Sequence, residues 1–150
     1  MTPGQTDTEL VCRHLAALDG ALVQLRRHAG KPIALLRADL DEQWAVERGM
    51  QVCAQNCVDI ATHLAAKAGQ NPTDYASALD ALVPMGILNP VFAARFRSVA
   101  GFRNLLVHGY LEIDLVRLHQ ALNEHLEDFI EFAACIRSAV AKPPSAHSRA

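Results

Sequence analysis

Val46, Met50, Cys53, Cys57, Ile60 and Leu64 follow one another at steps of four, three, four, three and four. A strand repeats its buried face every second residue, whereas a helix repeats it every 3.6, so this run specifies one apolar stripe on one long helix. A stripe of that kind needs other stripes to cover it, which points to a bundle. Val11, Leu15, Leu18, Leu22 and Leu25 supply a second one on a first helix, and no segment alternates as a strand would.

The punctuation between stripes sets the helix ends. Gly30 and Pro32 interrupt the first helix. The second begins near Asp39 or Asp41, runs to about Lys67 and meets a C-terminal glycine at Gly69. Thr73 or Asp74 can cap a short third helix through Leu82, which Pro84 and Gly86 close. Asn89 followed by Pro90 opens a fourth helix expected to stop near Gly109. Asp114 then caps a long fifth, with Leu115, Leu118, Leu122, Leu126, Phe129, Ala133 and Ile136 facing inward. The expected fold is all-α, an up-and-down bundle of four long helices plus one short helix. It forms a single domain over residues 1–138, and the polar, proline-bearing tail from 139 to 150 is expected to be disordered.

The chain has 150 residues, 51% of them hydrophobic and 20% charged, enough to bury a core without disulfides or metal. No apolar run approaches the roughly 18–20 residues that span a bilayer. The N-terminal "MTPGQTDTEL" has no basic or apolar leader, so the expected location is the cytoplasm, with no membrane contact. A net charge of −2 gives no global basic field, so any anion must be held by a local cluster. Cys12, Cys53, Cys57 and Cys135 read as small buried hydrophobes; Cys53 and Cys57 are spaced to chelate, but no matching pair exists, and no metal or other cofactor is expected. Trp44 reads as a core or interface anchor.

Chemistry concentrates in "GFRNLLVHGYLEID", residues 101–114. Phe92, Phe96, Val99, Arg103, Leu106 and Tyr110 fall on one stripe of the fourth helix, and Arg97, Gly101, Asn104 and His108 on another. Asn104 therefore lies one turn from His108 and can orient it. Arg103 and His108 are about 140° apart on an ideal helix. They meet only if the arginine bends round, or if the histidine of one chain faces the arginine of a symmetry mate across a twofold groove. A guanidinium beside an imidazole is a receptor for phosphate. On the second helix Arg48, Gln55, Asp59 and His63 share a polar side, either a second groove wall or a solvated face.

The run R-N-L-L-V-H-G-Y, residues 103–110, fits Arg-x4-His-x-Tyr. With "AVERGMQVCAQNCVDIATHLAAKAG" and "VHGYLEIDLVRLHQALNEHLEDFIEFAACI", it resembles the HepT-type HEPN toxins over most of residues 40–137. The resemblance implies a metal-independent endoribonuclease toxin with its groove at a homodimer interface, and a minimal nucleotidyltransferase antitoxin as partner. In that reading Arg103, His108 and Asn104 are catalytic on RNA. Tyr110 positions substrate or receives AMP from the partner, and Arg97, Arg48 and Asp59 give support. The alternative is a non-catalytic helical module that binds a nucleotide or substrate for the nucleotidyltransferase.

Overall fold

The computed structural model describes residues 3–101 and 114–141, with side chains from residue 7 onward. Helix α1 spans Pro3–Arg26, α2 Ile33–Ala38, α3 Leu40–Lys67, α4 Tyr75–Ala81, α5 Pro90–Phe96, α6 Leu115–Glu124 and α7 Leu126–Ala141. No strand occurs among the described residues, and the all-α bundle stands as expected.

The helix ends follow local chemistry. Asp39 takes the free backbone N–H groups of Asp41 and Glu42, which starts α3. At its other end Gly69, at φ +83°, lets the chain reverse, and the N–H groups of Gly69 and Gln70 bond the carbonyls of Ala66 and Ala65. Asp74 and Ser77 cap α4 reciprocally, Asn89 caps α5 ahead of Pro90, and Asp114 caps α6. Three details differ from expectation. The turn after α1 contains the short α2, whose Leu36 is buried and gives these six residues a reason to coil. The fourth helix tightens at Arg97, where Ala100 N–H bonds the carbonyl three residues back, before residues 98–101 are helical again. The fifth helix is two. His125, at φ −110° and ψ −3°, separates α6 from α7, and its carbonyl accepts the first N–H groups of the new helix. The inward stripe stays in phase across this break, and Leu118, Leu122, Leu126, Phe129, Ala133 and Ile136 are all buried.

Helix α3 lies at the centre, packed on α1, α2, α4, α6 and α7. Both sequence stripes bury: all five residues from α1, and every member from α3 except Leu64, which is half-buried against the core. Four phenylalanines join α5 to α7. Phe96 stacks on Phe92 and Phe132 at 5.1 and 5.0 Å and meets Phe129 edge-on at 5.9 Å. The turn after α1 is clipped to α6, with Gly30 N–H donating to Asn123 and His119 Nε2 donating to the Lys31 carbonyl.

Cys53 and Cys57 are buried as expected, but Cys12 is exposed and Cys135 half-buried. Cys12 immediately follows Val11 of the stripe, a step of 100° that carries it out of the core. Trp44 is no core anchor, since 62% of it is exposed on α3. The helix α7 continues to Ala141, past the expected domain edge at 138, and Val140 still touches the core.

Candidate functional site

Arg103, Asn104, His108 and Tyr110 lie outside the described residues. The structure gives the frame on either side of them: Gly101, where the chain enters that segment, and Asp114, where it returns as the cap of α6. Gly101 and Arg117, in the first turn of α6, both line one cleft of about 510 Å³. Its floor is apolar, made by Met50 of α3, Val99, Ala121 of α6 and Phe129 of α7. Its rim is polar, with Ser98, Arg117, Gln120 and His125. A β-carbon added at Gly101 would meet nothing within 4 Å, so this face is open, as the sequence suggested.

The rim groups are held to different degrees. Arg117 Nε lies 3.9 Å from Asp114 Oδ2 with both side chains more than half exposed, a weak pair that leaves the guanidinium free to swing. Gln120 donates to Glu124 at 3.1 Å, and Ser98 donates to the Arg95 carbonyl at 3.3 Å. His125 is held more firmly. Its Nδ1 lies 3.3 Å from Asp128 Oδ2, and the other oxygen of that carboxylate accepts from Arg95 Nε at 3.1 Å. Arg95 is fixed in turn by Glu131 at 3.3 Å and by stacking of its guanidinium 5.1 Å above the Phe92 ring.

None of the three expected supporting residues reaches the cleft. Arg97 turns toward α4 and pairs with Asp80 at 3.4 Å, although it shares a helical face with Gly101. Arg48 donates to Gln51 at 3.1 Å, and Asp59 accepts from Gln55 at 2.7 Å, so the two do not pair with each other. His63 does not pair with Asp59 either: its Nε2 sits 3.3 Å from Asp7 of α1, at an angle that makes the contact electrostatic rather than a hydrogen bond. The polar side of α3 is thus laced to itself and to α1. His125, Gln120 and Arg117 went unnoticed in the sequence because they interleave with the inward stripe and look like ordinary surface polarity. The one available signal was a histidine three residues before an aspartate, close enough on a helix to bond it.

Among the described residues no cluster of three or more His, Cys, Asp or Glu is arranged to hold a metal, and no helix is long and apolar enough to cross a membrane.

The bundle, and the cleft at the ends of the motif segment, define a helical protein of the HEPN class. The ribonuclease HepT-like family model matches residues 18–136, and the chain belongs to that family. It is 26% identical over 103 residues to an mRNA nuclease HepT of Shewanella oneidensis, an alignment covering 68% of this chain and 77% of the relative. It is 28% identical over 106 residues to a tRNA nuclease HepT of Aphanizomenon flos-aquae, covering 67% and 69%. In fold it matches the tri-AMPylated HEPN toxin of Shewanella oneidensis solved in complex with MNT antitoxin. The TM-score is 0.76 at 22% identity, covering 92% of this chain and 99% of the toxin.

Proposed function

We propose that this protein is a metal-independent endoribonuclease, the toxin of a toxin–antitoxin pair, working as a homodimer restrained by a minimal nucleotidyltransferase. One observation carries the reading: an Arg103-x4-His108-x-Tyr110 motif within a chain of the ribonuclease HepT-like family. The relatives named as mRNA and tRNA nucleases, and the AMP-bearing toxin seen with its antitoxin, support it.

The residue types suit the reaction. RNA is cut without metal when its 2′-OH attacks the adjacent phosphorus, which requires removal of the hydroxyl proton and protonation of the departing 5′-oxygen. Histidine titrates near neutrality, and His108 serves in such a transfer. Arg103 holds the phosphodiester and the charge that grows on it in the transition state. Asn104 orients His108. Arg48 and Arg97, both exposed, lend positive charge to RNA that extends beyond the cleft. Asp59 acts only as a spacer for that face. AMP attached to Tyr110 adds bulk and negative charge where RNA must lie, which silences the toxin.

The test is incubation of the purified protein with tRNA and mRNA in EDTA, beside Arg103→Ala and His108→Ala. Cleavage that both substitutions abolish is expected. Binding of AMP or ATP that depends on the motif, with no cleavage by the wild type, would replace this reading with the non-catalytic module.

A further inference from the structure

Phosphodiester transesterification moves two protons, and the motif supplies one imidazole per chain. Four of the five histidines among the described residues are engaged away from the cleft: His14 with Asn56 at 2.8 Å, His28 with Glu42 at 2.6 Å, His63 against Asp7, and His119 with the Lys31 carbonyl. His125 alone of these lines the cleft, with 41% of its side chain exposed.

Its setting is more than a helix junction requires. Starting α7 needs only the backbone carbonyl of His125, and a serine or asparagine would cap as well. Here the imidazole Nδ1 faces Asp128, whose side chain is only 14% exposed, and Arg95 braces that carboxylate from behind. A carboxylate at Nδ1 fixes the ring and its tautomer, which leaves the Nε2 lone pair outward. No described group partners Nε2. The charged groups around the ring are few. Asp128 and Arg95 lie behind it, Arg117 shares the rim from α6, and the adjacent Glu124 is occupied by Gln120; α3 contributes only Met50 to this cleft.

We propose that His125 is a further catalytic residue of the ribonuclease reaction, the base that takes the 2′-OH proton from a nucleotide seated in this cleft, with Asp128 and Arg95 as positioning residues. The inference rests on the ribonuclease reading above. In the step, the 2′-OH proton moves to Nε2, the O2′–P bond forms and the P–O5′ bond breaks. The departing O5′ takes a proton from solvent, and His125 later returns its own to solvent. The products are a 2′,3′-cyclic phosphate and a 5′-hydroxyl. Arg117, loosely held, supplies positive charge beside the attacked phosphate.

The test uses the full chain and an RNA oligonucleotide under single-turnover conditions in EDTA, across acid to alkaline pH. His125→Ala should slow cleavage about 10²–10⁴-fold and remove the acid limb of the pH–rate profile, and free imidazole should restore part of the rate. Asp128→Asn should slow cleavage less and keep that limb, since the base is present but poorly held. Should alanine unfold the chain, His125→Asn retains a capping side chain for α7 and carries the same test. A wild-type rate in the His125 variants overturns the inference, as does a slow variant with an unchanged profile and no response to imidazole, which marks a structural residue. If Arg103→Ala abolishes cleavage while His125→Ala does not, only this inference fails. If the wild type cuts no RNA, the ribonuclease reading fails first and takes this one with it.

Discussion

Leu25 of α1 rests on the bare Cα of Gly49 in the middle of α3. A β-carbon built at Gly49 would come within 2.6 Å of Leu25 Cδ2 and 2.8 Å of its Cγ. Glycine in a helix interior costs about 1 kcal/mol relative to alanine, so its presence here reflects the approach of the two helices. Leu25 is buried and cannot swing clear.

Gly49→Ala should therefore destabilise the bundle despite the better helix former. Overpacking costs about 1–3 kcal/mol and outweighs the propensity gained. At about 2–4 °C per kcal/mol for a chain of this size, a thermal melt resolves the loss. Leu25→Ala alone should cost about 2–5 kcal/mol, and the double variant less than the sum, because the new methyl occupies the space the leucine leaves. Strict additivity would show that the two side chains do not compete.

Glu42 links stability to pH. Its carboxylate accepts from His28 at 2.6 Å and lies 3.3 Å from Lys31 Nζ. The hydrogen bond from His28, with help from Lys31, holds its pKa below the ordinary 4.5. A carboxyl whose folded value is lowered stabilises the fold fully above its ordinary value and loses that contribution as pH falls through the lowered one. Glu42→Gln should thus melt below wild type at neutral pH, and the gap should close as the pH drops beneath 4.5. A gap of constant size would mean the ionised form contributes nothing.

Asp114 starts α6 by accepting from the N–H groups of Val116 and Arg117. Asp114→Ala should cost about 1 kcal/mol, whereas Asp114→Asn, with an equivalent capping oxygen, should come close to wild type. Equal losses from both would transfer the effect from the cap to the aspartate charge.

Tyr110 is expected to be the residue the partner enzyme modifies. Incubation with the neighbouring nucleotidyltransferase and ATP should add the mass of AMP to the wild type, lower its RNA cleavage, and leave Tyr110→Phe unchanged in mass. Modification at another residue would remove this account of control.

The helical architecture was legible because its determinants are local. The stripes of α1 and α3 and the capping residues Asp39, Asp74, Asn89 and Asp114 act within one or two turns of themselves. Where the reading fell short, tertiary contacts decide. The six residues of α2 coil because Leu36 finds the core, and the break at His125 is invisible in an apolar pattern that keeps its phase. The site was legible as a motif and not as a place. Arg97 and Arg48 sit on the anticipated faces, yet their side chains go to Asp80 and Gln51, choices that depend on neighbours distant in sequence or on rotamers. The His125–Asp128–Arg95 chain needs α5 and α7 side by side, which no single-helix pattern reveals.

Cys53 and Cys57 sit sealed at the centre of α3, and burial pushes the Cys53 thiol up to about 12 and that of Cys57 well above its usual range. A thiolate-seeking reagent can reach them only after α1 and α7 part from α3, whereas the exposed Cys12 reacts at once. The chain thus carries its own stopwatch for opening, readable by timed alkylation of the unaltered protein.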